Sequence, residues 1–266
     1  MKFTCILVFS AIITLFGCSY HPYRATNKSY RKQVKGLAQI ISQEPRDFDS
    51  IPAPIYWVGT TNFNLRKPNF VVIHHTAQTS CEQTLQTFTK PRTEVSAHYV
   101  ICKDGTVHHM LNDYLRAWHG GAAKWGNLTD LNSSSIGIEL DNNGFEIFPE
   151  AQVNSLLRLL DTLKRLYSIP TANFIGHADI APTRKNDPNI YFPWKKLAES
   201  GFGSWYPDTT GIKVPQGFNG RMGLRLIGYD VRDSIAATIA FKRHFMQDTT
   251  PVMNEADKKV LYLMSR

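Results

Sequence analysis

The 266-residue sequence is poor in cysteine, with four residues in all, too few for a disulfide-dependent scaffold. It has no apolar run of the roughly 18 residues that a membrane-spanning helix needs. It contains no His-Glu-x-x-His pair, which removes the commonest metalloprotease signature. Internal repeats and low-complexity tracts are also missing. Charged residues make up 20% and hydrophobic residues 42%, a balance that excludes a largely disordered chain. Positive charge is in excess, with 30 Lys and Arg against 22 Asp and Glu, a net charge of +8. The excess lies in the flanks. Lys2 stands alone near the start, residues 19–50 hold six basic and three acidic groups, and residues 201–266 hold nine and six. Residues 51–200 are nearly balanced, fourteen against thirteen. No nucleic-acid-binding motif accompanies the charge, so nucleic acid is not an expected partner.

Lys2 is followed by the apolar stretch Phe3 to Phe16 and then by Gly17-Cys18-Ser19. A short charged start, an apolar segment too short to span and a small-residue cleavage site describe an export signal. Leu15-Phe16-Gly17-Cys18 resembles the bacterial lipobox, in which the cysteine is lipidated and becomes the first residue of the mature protein. The resemblance implies a signal peptide over residues 1–17, a lipid on Cys18 and, from Ser19, sorting to the periplasmic side of the outer membrane. Cys5 leaves with the signal. Cys81 and Cys102 then remain, and sequence leaves open a disulfide in an oxidising compartment or two half-buried thiols.

Residues 18–50 read as a basic tether with a short helix near Val34 to Ile41, and Pro52 and Pro54 mark the entry to a folded domain over 51–204. Phe70 to His74 is a buried-strand run, and Ser80-Cys81-Glu82-Gln83 has the spacing of a capping box opening a helix that ends before Pro91. Ala97–Lys103 and Thr106–Leu111 flank Asp104-Gly105 as a hairpin. Ser135 to Leu140 is another strand. Pro149 opens an amphipathic helix with Val153, Leu156, Leu157, Leu160, Leu163 and Tyr167 on one face, and Pro170 closes it. Phe174-Ile175 is a brief strand leading into Gly176-His177. Interleaved strands and helices predict an α/β fold, a mixed sheet flanked by helices. Helical patterns at 220–228, 230–246 and 254–265, with Asp230 and Asn254 as N-caps, predict a small three-helix bundle over 205–266.

Nine histidines are present. His21 and His244 are expected to be solvated, and His108 and His109 to be structural residues of the hairpin. His74 and His177 each lie at the end of an apolar strand, where α/β sheets gather their sites. The segment after His177 carries two prolines and no helical period, so it reads as a loop able to bring Asp187 back beside His177. Two imidazoles and one carboxylate form a frequent catalytic zinc set with a fourth position open. Glu139, acidic in an otherwise apolar strand, is a candidate general base. Lys185 is a candidate for stabilising a developing oxyanion.

Five segments occur in order: Val71-Val-Ile-His74-His75-Thr-Ala, Val95-Ser-Ala-His98-Tyr, Ala117-Trp118-His119-Gly-Gly, Ser135-Ile-Gly-Ile-Glu139 and Gly176-His177-Ala-Asp-Ile-Ala-Pro-Thr-Arg-Lys185-Asn-Asp187-Pro. Together they resemble the zinc-dependent N-acetylmuramoyl-L-alanine amidases of the amidase-2 type, a family that includes peptidoglycan recognition proteins. The resemblance covers about residues 55–200. It implies Zn2+ held by His74, His177 and Asp187, with Glu139 as base and Lys185 as transition-state stabiliser. It places His75 on the opposite face, and His98, Trp118 and His119 around the cleft without being ligands. The lipobox narrows the resemblance to the periplasmic lipoprotein amidases. Residues 205–266 resemble, more distantly, a small peptidoglycan-binding domain.

The expected activity is hydrolysis of the amide between muramic acid, intact or anhydro, and L-alanine of the stem peptide, by a monomer acting on peptidoglycan. The alternative is a non-catalytic peptidoglycan-recognition lipoprotein, members of which lose a metal ligand or the base.

Overall fold

A computed structural model describes residues 22–43 and 60–266. The expected signal, the lipidation site Cys18, His21 and the prolines at 52 and 54 lie outside the described residues. The chain divides into two compact units, 1–63 and 64–266. The first contains α1 (Arg24–Ile41), a helix with no buried residue. It extends the helix expected near Val34 back to Arg24. Tyr30, Val34, Leu37 and Ile41 keep helical spacing, with Arg31, Lys32, Gln33, Lys35 and Gln39 among the residues between them.

The second unit is built on a five-stranded sheet in the order β3-β2-β4-β1-β5. Its strands are β1 (Phe70–His75), β2 (Tyr99–Ile101), β3 (Val107–His109), β4 (Ser135–Leu140) and β5 (Phe174–Gly176). β1 pairs in parallel with both β4 and β5, β2 pairs in parallel with β4, and only β3 runs antiparallel, as the hairpin partner of β2. The sheet is therefore mixed, and its parallel strands end at one edge. His74 pairs with Glu139 in the β1–β4 register, so the two side chains leave the same face one strand apart.

One face of the sheet is covered by α3 (Glu150–Tyr167). Its Val153, Leu156, Leu160, Leu163 and Tyr167 pack with Val71, Ile73, Ile136, Ile138 and Leu140. The opposite face carries a smaller cluster of Val72, Leu131, Ile175, Ile180 and Ala181. Period-two alternation thus sends Val72, His74, Gly137 and Glu139 to the less covered face, where a site can open.

α2 (Cys81–Thr89) starts at Ser80, whose side chain accepts from the Gln83 N–H. The Gln83 side chain accepts from Thr79 N–H, one residue earlier than a full capping box would have it. Cys81 and Cys102 form a disulfide, with 5.3 Å between their Cα atoms, which joins the start of α2 to the residue following β2. That resolves the two states left open by the sequence.

Beyond α5 (Trp194–Glu199), three helices form the expected bundle: α6 (Gly220–Ile227), α7 (Ser234–Met246) and α8 (Glu255–Met264). They close around Leu224, Ala237, Ala240, Phe241, Phe245, Val260 and Leu261. Asn254 caps α8 as expected, but α7 begins at Asp233, which accepts from Ile235 and Ala236 N–H. Asp230 instead bonds Arg232, in the turn before the helix. Lys242 is 1% exposed and reaches Asp257 at 3.0 Å and Asp248 at 2.6 Å, so the buried cation is paired twice.

The bundle meets the sheet domain directly. Gly126 N–H donates to Gly228 O at 2.7 Å, and the Trp125 ring meets Tyr229 edge-on at 5.1 Å. Gly228 has φ +134°, and a Cβ there would lie 2.6 Å from the Trp125 ring, so glycine is required on both counts.

Candidate active site

β1 delivers His74 and β5 delivers His177 at the same edge of the sheet. Residue 177 also begins α4 (His177–Ile180), a single helical turn where the sequence had suggested only loop. The chain then doubles back, and Ala178 N–H donates to Asp187 O at 2.7 Å. This places Asp187 beside both histidines. His74 Nδ1 lies 2.9 Å from His177 Nδ1, and Asp187 Oδ2 is 3.0 Å from each. His74, His177 and Asp187 are all buried.

The surrounding hydrogen bonds decide which ring nitrogens carry protons. Ser135 Oγ–H donates to Leu131 O, so its oxygen accepts from His119 Nε2 at 3.2 Å. His119 Nδ1 is then unprotonated and accepts from His74 Nε2–H at 3.1 Å. His74 therefore presents a bare Nδ1. His177 Nε2 donates to Gly120 O at 3.1 Å, so its Nδ1 is bare too. Two lone pairs and a carboxylate oxygen converge with no proton between them, an arrangement that calls for a cation. The three residues thus fit a metal ion by the chemistry of their donor atoms.

The electrostatics agree. Burial, followed by the neighbouring His177, pulls the His74 pKa down to about 4. Burial alone would raise that of Asp187, but its close contacts with His177 and His74 hold it well below the usual carboxylate range. Burial and three neighbouring histidines keep His119 neutral. Ligands deprotonated at neutral pH are what a metal site requires.

Glu139 stands 4.0 Å from His74 Nδ1, and its side chain is 12% exposed. Burial, reinforced by the charge of Asp187 and opposed by Lys185, pushes its pKa up to about 8. The Lys185 ammonium, half-buried on the 181–187 loop, therefore acts on the same carboxylate. In the metal-free protein, folded Glu139 keeps its proton between pH 4.5 and about 8, while the unfolded chain has lost it. The folded state binds more protons across that window, so this group lowers stability as pH rises through it. Metal-free Glu139→Gln should therefore gain stability over the unaltered chain between pH 5 and 8, as urea unfolding at several pH values would measure. A constant difference would contradict the assignment.

His119 is the residue whose role the sequence concealed. Its ring stands outside the three converging atoms, and it fixes the tautomer of His74. Gly137 makes room for it, since a Cβ there would fall 2.4 Å from the imidazole. A glycine inside an apolar strand was the available signal of that close approach. His98 is held by Gly137 N–H and Leu115 O and takes no part in the cluster. His75 points to the other face and is buried there, and Trp118 is 53% exposed. His244, expected in solvent, is 5% exposed against the sheet domain, because the polar position it occupies on α7 faces Trp194 and Asp179. For His119→Leu we expect metal affinity to fall by roughly 10- to 100-fold, the usual effect of removing an outer partner of a ligand. His119→Asn, whose Oδ1 can replace Nδ1 as acceptor, should retain most of it. Chelator competition measures both.

The family model described as N-acetylmuramoyl-L-alanine amidase (Amidase_2) matches residues 64–190. N-acetylmuramoyl-L-alanine amidase AmiD of Escherichia coli K12 is 37% identical over 154 residues, 52% of this chain and 54% of that protein. The 1,6-anhydro-N-acetylmuramyl-L-alanine amidase AmpD of Haemophilus influenzae is 36% identical over 107 residues, 40% of this chain and 58% of that one. The chain thus matches little more than half the length of these curated relatives. Among solved structures, E. coli AmiD in complex with the substrate anhydro-N-acetylmuramic acid-L-Ala-D-gamma-Glu-L-Lys superposes with TM-score 0.68 and 27% identity, covering 77% of this chain and 91% of that one. AmpDH3 of Pseudomonas aeruginosa gives TM-score 0.69 and 27% identity, over 84% and 98%. These overlaps run well past residue 190, so the likeness takes in part of the helical region. In sequence, residues 64–190 match the Amidase_2 family model, and in fold the chain is similar to the solved AmiD and AmpDH3 structures.

Proposed function

We propose that this chain is a zinc-dependent N-acetylmuramoyl-L-alanine amidase acting on peptidoglycan or its muropeptides. The observation that carries this reading is the convergence of His74 Nδ1, His177 Nδ1 and Asp187 Oδ2 within 3.0 Å of one another, with the Glu139 carboxylate beside them. Ligand atoms around tetrahedral zinc stand roughly 3.3 Å apart at ordinary bond lengths, so the set is close to the required size. Zinc, when bound, would polarise the scissile carbonyl and acidify water.

The chain's own groups supply the rest. Glu139 accepts the proton of the attacking water and returns it to the departing L-alanine nitrogen. Lys185 offers positive charge where the carbonyl oxygen becomes negative. The 120–122 loop beside the site is held by Arg184, which donates to Gly120 O and Ala122 O. The crystallised complex of E. coli AmiD with an anhydro-muramyl tripeptide supports the same substrate class here.

In this reading residues 1–17 are the signal and 18–50 a lipid-anchored tether. Residues 51–204 are the catalytic domain and 205–266 a peptidoglycan-binding-like module. Anchoring through Cys18 would hold a monomer on the periplasmic side of the outer membrane. No helix among the described residues is long and apolar enough to cross a membrane. The non-catalytic alternative is disfavoured because all three ligands and Glu139 are present and assembled. Chelation should abolish release of the stem peptide from a muramyl tripeptide, and added zinc should restore it. Activity that survives complete metal removal would reject the metal assignment.

A further inference from the structure

Three buried polar side chains join the helical module to the turn that carries His177. Asp179, two residues after the ligand, accepts from Gly176 N–H through Oδ2 at 2.7 Å. The same oxygen lies 2.8 Å from Nδ1 of His244 on α7, and Oδ1 accepts from the Tyr229 hydroxyl at 2.8 Å. Asp179 and Tyr229 are each 2% exposed and His244 is 5% exposed. A carboxylate this deeply buried persists only when donors surround it. Two of its three donors come from the module.

The packing around this triad is tight. The His244 ring stacks on Trp194 with centroids 3.9 Å apart and planes at 12°. A Cβ at Gly176 would come to 3.0 Å from Pro188 and 3.1 Å from both the Asp179 carboxylate and the Trp194 ring. Gly176 immediately precedes the ligand, and Pro188 immediately follows the ligand Asp187. His244 Nε2 has no partner among the described residues, so the hydrogen bond of Nδ1 to Asp179 is the polar contact that orients this ring.

Simple domain packing would need only apolar contacts such as that of Trp125 with Tyr229. We propose that the helical module is a working part of the metal centre. Tyr229 and His244 act as positioning residues that hold Asp179, and Asp179 fixes the Gly176–His177 turn and with it the ring of His177. The module thereby sets metal affinity without contributing a ligand. This inference rests on the metal site assigned above, though not on the reaction assigned to it.

The test uses the full chain with His244→Leu, His244→Asn and Tyr229→Phe. Zinc affinity is read by chelator competition, and the 15N ring signals of His177 are read in the metal-free protein. His244→Leu is expected to weaken zinc binding tenfold or more and to mix the two tautomers of His177. His244→Asn keeps a donor where Nδ1 stood and should restore both readouts, although it loses the same ring stacking. Tyr229→Phe should shift both in the direction of His244→Leu, and it decides the matter if the leucine variant does not fold. A leucine variant that melts earlier yet keeps unaltered affinity and His177 signals would overturn the proposal, as would an asparagine variant no better than leucine. Failure of the amidase reading would appear separately, as an unaltered chain that binds zinc but leaves muropeptides intact. If the unaltered chain bound no zinc, the His177 signals would decide alone.

Discussion

Glu139→Gln is expected to lower kcat by about 10³-fold, within the usual range for losing a positioned general base, while zinc remains bound. The substitution keeps side-chain size and one hydrogen-bonding oxygen but removes the atom that takes up the proton. Glu139 is not among the three converging ligand atoms, and its Oε1 stands 4.0 Å from His74 Nδ1. Metal content and activity should therefore separate. KM should change little, because the carboxylate acts on the water and the leaving amine rather than on the bound sugar or peptide. Steady-state kinetics on a muramyl tripeptide, paired with zinc analysis of the same sample, measures both. A variant that loses zinc along with activity would make Glu139 a ligand instead of a base.

Asp187→Ala should act in the opposite order, with metal loss as the primary defect. Asp187 Oδ2 is the only anionic ligand and lies 3.0 Å from both histidine nitrogens, each of which already presents a lone pair. Without the carboxylate, two neutral imidazoles remain. Affinity should fall by more than the roughly 100-fold that marks the upper end for losing an outer partner. Activity should drop to background at limiting zinc. Asp187→Asn is the sharper variant, since it retains an oxygen but not the charge, and it too should bind zinc poorly. Isothermal titration after chelator treatment gives the comparison with the unaltered chain. Near-normal affinity in Asp187→Ala would place the third ligand elsewhere.

Much of this site was legible in the sequence because the elements that carry it have strong periods. The apolar runs at 70–74 and 135–140 read as strands, and the polar residues that broke them, His74 and Glu139, stood out as candidates. The long apolar stripe of α3 was equally plain. What was less legible depends on distance or on segments too short to show a period. α4 is a single turn, so no pattern could separate it from a loop. The disulfide joins residues 21 apart in sequence, and only the packing of α2 near the end of β2 brings them together. Helical spacing alone set α7 three residues early, because Asp230 and Asp233 are both capable caps and the turn uses the first for Arg232.

His244 was the most instructive departure. On a helix carrying Lys242 and Arg243, a histidine reads as solvent-facing. α7 nevertheless packs against the sheet domain on that side, and a buried carboxylate waits there. Its partner, Asp179, lay in plain view two residues after a proposed ligand, yet a single sequence gives no sign that its donors come from some 50 and 65 residues downstream. The basic excess looks different for the same reason. The region over 205–266 holds nine basic residues against six acidic ones, and it also contacts the turn that carries His177.

The central claim is the bond that is cut. Purified peptidoglycan sacculi incubated with the full chain and zinc should release free stem peptides beginning with L-alanine, together with glycan whose muramic acid carries no peptide, as seen by chromatography with mass spectrometry. Fragments cleaved within the stem peptide, with the muramyl–alanine linkage intact, would contradict the account.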